Sequence, residues 1–232
     1  MKIISWNCNG AFRKKFQLID ELNADIIVVQ ECENPEIIAD KTFKSWANNY
    51  LWTSDNKNKG LCIFCKNQMK IIDNEWKNDG NKYFISANYE NQFDIVAVWN
   101  HTGGLSNYKY IGQFWKYLQI NKSKFSNCII LGDFNSNKIW DKKRRFWNHS
   151  DVVKELEEIG VVSLYHNYFK EKQGEEKRGT FYLQKKMEKE YHIDYVFTNN
   201  KLINRINEFE IGEKNKWLQF SDHLPIIFHL NL

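Results

Sequence analysis

Short apolar runs separated by turn residues recur along the 232-residue chain and limit the folds that it can adopt. Runs of this length, bounded by Gly, Asn or Asp, are typical of buried β-strands rather than of long helices. They lie at residues 3–6, 25–30, 61–65, 69–72, 83–89, 93–99, 128–131, 193–198, 206–211 and 225–230. The sequence therefore predicts a protein in which strands outnumber helices.

Three segments have the apolar spacing of amphipathic helices. They are residues 16–22, 111–118 and 152–159, and the last ends before Gly160. Helix and strand patterns alternate at the start of the chain and again after residue 100, with hairpin-like patterns between them. This order favours two sheets packed face to face with helices outside. The chain has no repeat or linker-like segment, so we expect one domain over residues 1–232.

The composition indicates a protein with a packed core and with cysteines in the reduced state. Hydrophobic residues make up 42% of the chain and aromatic residues 16%, which is enough for a core. The sequence has neither a membrane-length apolar run nor a signal-peptide pattern, so we expect a cytoplasmic protein without a membrane partner, and we favour a monomer. The five cysteines are predicted to be unpaired. Cys62 and Cys65 have a metal-like spacing, but a strand would direct them to opposite faces.

Polar side chains cluster at the ends of the apolar runs. They are Asn7, Asn9, Glu31, Asn100, His101, Asp133, Asn135, Asp194, Asp222 and His223. Each one alone has an ordinary explanation, such as a turn asparagine or a surface acid. Consecutive strand ends can, however, converge on one rim of a sandwich. Oxygen ligands of this kind suit Mg²⁺, and nearby imidazoles can transfer protons, so the set predicts one phosphate-cleaving metal site.

A basic segment follows the Gly132–Asn135 turn and points to a polyanionic partner. Lys142, Lys143, Arg144 and Arg145 are flanked by Trp140, Phe146 and Trp147. A run of charge by itself is usually a solvated face. Basic groups interleaved with aromatic rings beside a metal site favour a nucleic-acid backbone instead, since guanidinium groups pair with phosphate and rings stack on bases. We therefore predict that Arg144 and Arg145 bind substrate. The Lys- and Glu-rich residues 170–178 and 185–190 predict exposed loops.

Six motifs in order along the chain resemble those of the endonuclease/exonuclease/phosphatase superfamily. They are Ser5-Trp6-Asn7-Cys8-Asn9-Gly10, Gln30-Glu31, Asn100-His101, Gly132-Asp133-Phe134-Asn135, Ile193-Asp194-Tyr195 and Ser221-Asp222-His223. The resemblance spans nearly the whole chain. It implies an α+β fold of the deoxyribonuclease I type, a four-layer α/β/β/α sandwich with two mixed sheets inside, and a phosphoesterase that depends on Mg²⁺ or Mn²⁺.

The resemblance also assigns roles to the site residues. It implies that Glu31 is the main metal carboxylate, helped by Asn7 and by Asp222, directly or through water. Asp194 would orient His223 at the scissile phosphate. Asp133 would position the attacking water, and either Asp133 or His223 would be the base. The remaining roles are phosphate contacts from Asn135 and His101, and Asn9 near the substrate.

Three functions remain open at this stage. The leading one is a nuclease acting on DNA or RNA. The first alternative is a phosphatase or phosphodiesterase acting on a small phosphorylated metabolite or lipid head group, because loops set substrate choice in this superfamily. The second is a binding module without catalysis, which the presence of every motif residue disfavours. Abasic-site endonucleases lack a histidine at the position that matches His101. An endonuclease specialised for abasic sites is therefore disfavoured as well.

Overall fold

The computed structural model describes residues 1–66, 69–81, 83–103 and 108–232. Its strands are β1 (Lys2–Asn7), β2 (Ile26–Cys32), β3 (Tyr50–Asn56), β4 (Lys59–Cys65), β5 (Ile71–Asp73), β6 (Phe84–Tyr89), β7 (Phe93–Trp99), β8 (Cys128–Asp133), β9 (Val161–Ser163), β10 (Phe181–Tyr182), β11 (Glu190–Tyr191), β12 (Asp194–Asn199), β13 (Ile206–Ile211) and β14 (Ile226–Leu230). Its helices are α1 (Phe16–Asp20), α2 (Lys41–Trp46), α3 (Ile111–Asn121), α4 (His149–Glu158), α5 (Leu164–Phe169), α6 (Asn200–Ile203) and α7 (Lys214–Trp217).

Twelve of these strands form two six-stranded mixed sheets. The first sheet has the order β13-β14-β1-β2-β4-β3, and the second has the order β5-β6-β7-β8-β12-β9. Strands β1 and β2 run parallel at the centre of the first sheet, as β7 and β8 do at the centre of the second. Strands β10 and β11 form a separate two-stranded ribbon. The carboxyl ends of the central strands therefore lie at one edge of each sheet.

Alternating side chains on the central strands build the layers. In β1, Ile3 packs in the core between the sheets, whereas Ile4 packs beneath the helices on the outer face. In β8, Leu131 and Ile130 divide in the same way between the inner core and the second outer layer. This alternation follows from the two-residue period of a strand with both faces buried. The predicted four-layer α/β/β/α sandwich is confirmed.

The free cysteines follow the same alternation. All five are buried and unpaired with another cysteine. Cys62 packs in the outer layer of the first sheet and Cys65 packs between the sheets, so their sulfur atoms lie on opposite faces as predicted. No helix in the described ranges has the length and apolar character to cross a bilayer.

Some elements differ from the sequence predictions. Strand β3 and helices α2 and α5 were not anticipated, and α1 ends at Asp20, short of the predicted end at residue 22. The prediction for residues 170–178 was incomplete, because Glu176 in this loop is buried with a side chain only 4% exposed. His166 contacts it at 3.1 Å and the Gly174 amide donates to it at 2.9 Å. Burial alone would raise the pKa of Glu176, but these hydrogen bonds lower it to about 2.

Gly132, in strand β8 directly before Asp133, is sterically required. Its φ of 146° is rare for other residues, and a Cβ atom there would lie 1.9 Å from the Val98 carbonyl oxygen of β7. We expect Gly132→Ala to cost more than about 2 kcal/mol of unfolding free energy, since strain and a backbone clash coincide. Gly160→Ala is the control, because Gly160 has φ 75° with no atom within 4 Å of the added Cβ. Urea unfolding that gives equal losses for the two variants would contradict this explanation.

Candidate active site

Four of the predicted site residues lie at one edge of the sandwich, because the central strands that carry them end or begin there. Asn7 ends β1, Asp133 ends β8, and Asp194 begins β12. Strand β12 runs antiparallel to β8 with Asp194 directly opposite Asp133. Glu31 lies at a bulge in β2, where the pairing with β4 shifts between Gln30 and Cys32. A bulge redirects the side chain out of the ladder, and Glu31 has a φ of 61° there.

Asp133 is the most completely buried carboxylate of the site. The side-chain amides of Asn7 and Asn135 donate to its Oδ2 at 2.9 and 2.8 Å. The backbone amide of Asn135 donates to its Oδ1 at 2.8 Å. Burial raises the pKa of Asp133, the negative charge of Asp194 raises it further, and it reaches about 8 although His223 and the amides oppose the change. Asp133 is thus held in one orientation and is a stronger base than an ordinary aspartate.

His223 is fixed by Asp194. The imidazole Nδ1 donates to Asp194 Oδ2 at 2.9 Å, and both side chains are buried. Burial alone would lower the pKa of His223, but the carboxylate of Asp194 outweighs burial and raises it to about 9. Because Nδ1 is committed to Asp194, Nε2 is the ring nitrogen left to meet a substrate. The hydrogen bond between Asp194 and His223 that the resemblance implies is present in the structure.

The backbone around His223 is tied to β1. The Ser221 hydroxyl accepts from the His223 amide at 3.0 Å and donates to the Asn7 carbonyl at 2.7 Å. The Trp6 indole donates to the His223 carbonyl at 3.0 Å. These bonds couple two segments that lie at opposite ends of the sequence, so the position of His223 depends on the first strand.

Asp133, Asp194 and His223 form a compact cluster. Their potential ligand atoms lie within 4.8 Å of one another, and the three residues are buried. Both oxygens of Asp133 already accept hydrogen bonds, and Asp194 accepts from His223. Such a network suits proton transfer and charge stabilisation better than cation binding, because a cation would have to displace these bonds. Among the described residues, neither Glu31 nor Asp222 joins this cluster.

Glu31 lies on the open side of the site. Its side chain is 19% exposed and its Oε2 contacts the Lys59 ammonium at 2.6 Å. It lines a cavity of about 370 Å³ together with His101 and Asn135. A partly exposed carboxylate that already meets a cationic group fits a divalent ion. The roles of Glu31 and Asn7 as metal ligands remain predictions, and the Asn7 amide oxygen accepts from the Asn9 backbone amide at 3.0 Å.

His101 lines the same cavity with a defined tautomer. The Gly103 amide donates to its Nδ1 at 2.9 Å, so the neutral ring carries its proton on Nε2. That Nε2 is buried without a hydrogen-bond partner among the described residues. Burial lowers the pKa of His101, mainly by disfavouring the cation. His101 is therefore a neutral imidazole at the cavity wall whose Nε2–H has no hydrogen-bond partner among the described residues.

Three further predicted residues have accessible side chains, and their roles remain predictions. Asn9 and Arg144 are exposed, and Asp222 is half-buried. Arg145 makes contacts within its own loop, because its Nε donates to Asn148 Oδ1 at 2.8 Å and its guanidinium lies 4.6 Å from the Trp147 ring. Arg144 is thus the better placed of the two arginines for a phosphate contact. Whether Arg145 also binds substrate stays a prediction.

Four functional candidates were missed in the sequence. Phe181 packs 4.7 Å from the His223 ring and Tyr191 lies 6.4 Å from Phe181. Lys59 contacts Glu31, and Tyr110 lines the cavity. Aromatic residues make up 16% of the chain and Lys59 is one of many lysines, so no local pattern identifies these four.

Lys59 is expected to compete with a divalent ion for Glu31. We expect Lys59→Gln to tighten Mn²⁺ binding about two- to fivefold, because a partly exposed ion pair contributes at most about 1 kcal/mol. Calorimetric titration of the protein without substrate measures this. Lys57→Gln, an exposed change in the turn of the same hairpin, should leave the affinity unaltered. Unchanged or weaker binding by Lys59→Gln would rule out the competition.

Comparisons with known proteins agree with this architecture. Residues 4–223 match the model of the endonuclease/exonuclease/phosphatase family. No curated protein sequence matches the chain. Among solved structures, the fold is similar to that of the 3′-5′ exonuclease NExo from Neisseria meningitidis, with a TM-score of 0.70 and 16% identity over 100% of both chains.

Two further structures have the same fold. One is the 3′ phosphatase NExo from Neisseria bound to a product DNA hairpin, with a TM-score of 0.68 and 15% identity over 100% of both chains. The other is an AP endonuclease from Archaeoglobus fulgidus, with a TM-score of 0.70 and 17% identity over 100% of both chains. At these identities the likeness concerns the fold. The family match spans nearly the whole chain, and the chain therefore belongs to the endonuclease/exonuclease/phosphatase family.

Proposed function

We propose that this protein is a nuclease that hydrolyses phosphodiester bonds in DNA or RNA with the help of Mg²⁺ or Mn²⁺. The observation that carries the proposal is the pairing of two unlike half-sites. One is the buried network of Asp133, Asp194 and His223, and the other is the half-open carboxylate of Glu31 beside a cavity. Asn7 and Asn135 link the halves, since both bond Asp133 and Asn135 also lines the cavity.

The chain's own groups suit an attack of water on phosphorus. Asp133 is held by three N–H donors and retains lone pairs to accept a proton from the water. His223 faces the phosphate through Nε2 and, as a cation stabilised by Asp194, offsets the charge that develops on the phosphoryl oxygens. We therefore assign Asp133 as the base and His223 as the electrostatic clamp.

The remaining groups position the ester. His101 can donate from Nε2 to a phosphate or leaving oxygen, and the Asn135 side chain borders the same space. A bound divalent ion would supply positive charge at the phosphoryl and leaving oxygens. The new bond joins the water oxygen to phosphorus as the water proton passes to Asp133, and the bond from phosphorus to the leaving oxygen breaks. The leaving oxygen takes up a proton from solvent and Asp133 later releases one to solvent, so the products are one phosphate end and one hydroxyl end.

The surface beside the site favours a nucleic-acid substrate. The loop that follows Asp133 carries Trp140 and Phe146, which are 43% and 66% exposed, next to the basic residues 142–145. Exposed rings can stack on bases while the basic groups pair with phosphates. The structural neighbours include a complex with a product DNA hairpin, which is consistent with this choice.

Arg144 provides a test of the nucleic-acid contact. We expect Arg144→Gln to reduce the slope of log affinity against log salt by about 1, as loss of one phosphate contact does. Binding of a fluorescent oligonucleotide by a His223→Gln background at several salt concentrations measures the slope. Arg205→Gln, an exposed arginine between α6 and β13, is the control. An unchanged slope in Arg144→Gln would remove Arg144 from the binding surface.

Turnover of a substrate panel tests the function itself. Purified protein with Mg²⁺, Mn²⁺ or EDTA is incubated with single- and double-stranded DNA, RNA, abasic DNA, bis-p-nitrophenyl phosphate and phosphomonoesters. We expect cleavage of nucleic acid that EDTA abolishes. Turnover of monoesters alone would favour the small-phosphoester alternative, for which the cavity of about 370 Å³ leaves room.

A further inference from the structure

A concave space beside Glu31 has two chemically different walls. It has a volume of about 370 Å³ and lies between the β3–β4 hairpin and the ends of β6 and β7. Ser54, Asn56 and Lys59 of the hairpin form the polar wall. Tyr83, Trp99 and Tyr110 contribute the aromatic rings of the lining. The space joins the site directly through Glu31.

The aromatic wall is rigid. The rings of Tyr83 and Trp99 are 5.8 Å apart in an edge-to-face arrangement, and His101 packs 4.5 Å from Trp99. Tyr83 Oη donates to Asp55 Oδ2 at 3.2 Å, which connects the wall to the hairpin. Tyr83 and Trp99 are 5% and 7% exposed. These contacts hold the wall in place, so its shape does not depend on a ligand.

Tyr110 differs from the other two rings. It precedes α3, lines the cavity and is 43% exposed. Its backbone has a φ of 53°, which a tyrosine seldom adopts, and its amide donates to the His101 carbonyl at 3.1 Å. The ring is therefore anchored to the site through its backbone while its face remains accessible for stacking.

Size and chemistry limit what the cavity can hold. Its volume is near the lower end of the range for small-molecule sites, about 300–1,000 Å³, which admits one nucleotide but not a base pair within a duplex. A flat ring on one wall suits a nucleobase, because every base has a face that stacks. The hydroxyl, amide and ammonium groups of Ser54, Asn56 and Lys59, which line the same cavity, suit a sugar and phosphate. His101 also lines this space, and its buried Nε2 has no hydrogen-bond partner among the described residues.

We propose that this cavity is a subsite for one unpaired nucleotide attached to the scissile phosphate, with Tyr110 stacking on its base. The proposal rests on the proposed nuclease function. It predicts that the enzyme acts preferentially on single strands or frayed ends, because a nucleotide in a stable duplex must first unpair to enter.

Stacking is tested with an oligonucleotide that carries 2-aminopurine next to the cleaved bond. Tyr110→Ala should weaken binding of the single strand about tenfold and remove the fluorescence quenching, whereas Tyr110→Phe should retain both. Tyr168→Ala, which removes another exposed tyrosine on α5, is the control. Thermal unfolding of each variant verifies that it is folded.

A second variant changes a residue of the polar wall of the same cavity. Ser54→Phe should fill the space and lower kcat/KM for single strands about tenfold. Wild-type cleavage of single strands combined with wild-type behaviour of both Tyr110→Ala and Ser54→Phe would overturn the subsite while leaving the nuclease function intact. Wild-type preference for a stable duplex over the matched single strand would overturn it too. Wild-type protein that cleaves none of the nucleic acids would instead defeat the proposed function.

Discussion

Replacement of His223 by glutamine is expected to lower kcat on nucleic acid by about 10³-fold, the scale of a lost charge clamp or proton-transfer group. Glutamine retains hydrogen-bonding capacity but cannot become a cation beside Asp194. The reason for the large effect is burial: His223 and Asp194 form a charged pair away from water, next to the position of the phosphate. Single-turnover kinetics with saturating protein separate this effect from binding.

Two further variants help to interpret the His223→Gln result, one as a partner change and one as a control. Asp194→Asn should also lower kcat, because an amide cannot stabilise the imidazolium and no longer fixes Nδ1 as the donor. His229→Gln changes another histidine on β14 that pairs with Lys2 at the far end of the strand, and it should retain activity. Wild-type turnover by a folded His223→Gln variant would contradict the assigned role.

Replacement of Glu31 by glutamine is expected to remove divalent-ion binding. The loss should exceed the roughly 10- to 100-fold effect of removing a group that only supports a ligand. Glutamine has nearly the same shape, so the bulge at Glu31 should persist. Mn²⁺ binding followed by electron paramagnetic resonance measures the affinity without relying on turnover, and EDTA treatment of the wild type should mimic the loss of activity.

Glu36→Gln is the matched control for Glu31, because Glu36 is an exposed acid that follows β2 closely in sequence. It should bind Mn²⁺ like the wild type. If Glu31→Gln bound Mn²⁺ with wild-type affinity, the ion would be held elsewhere, and the buried cluster of Asp133, Asp194 and His223 would become the alternative centre.

The central part of the fold follows from sequence because local pattern and burial agree there. Strands such as β1 and β8 are continuous apolar runs with both faces covered. Strand β3 lies at an edge of its sheet, and its residues are half-buried or exposed. Its sequence mixes Trp52 and Leu51 with polar residues, so periodicity gave no signal. The one-domain prediction for residues 1–232 stays a prediction.

Some features of the candidate site follow from the sequence and others do not, as for the fold. The proximity of Asp133 to Asp194 follows from strands that end or begin at one rim, and the resemblance supplied the pairing of Asp194 with His223. Lys59 and Tyr110 could not be found, because their importance comes from tertiary contacts to Glu31 and His101. The local composition also gave an incomplete prediction for Glu176. Its side chain is shielded from solvent by partners that are distant in sequence, and no local pattern indicates this.

A crystal structure with Mn²⁺ and an uncleavable phosphorothioate oligonucleotide is the sharpest test of the proposed mechanism. We expect anomalous density for the ion about 2.0–2.3 Å from a Glu31 carboxylate oxygen, with Lys59 displaced from Glu31. The His223 Nε2 should lie within about 3.2 Å of an oxygen of the phosphate that the ion also contacts. An ion bound by Asp133 and Asp194 with Lys59 still on Glu31, or a phosphate out of reach of His223, would contradict the proposed mechanism.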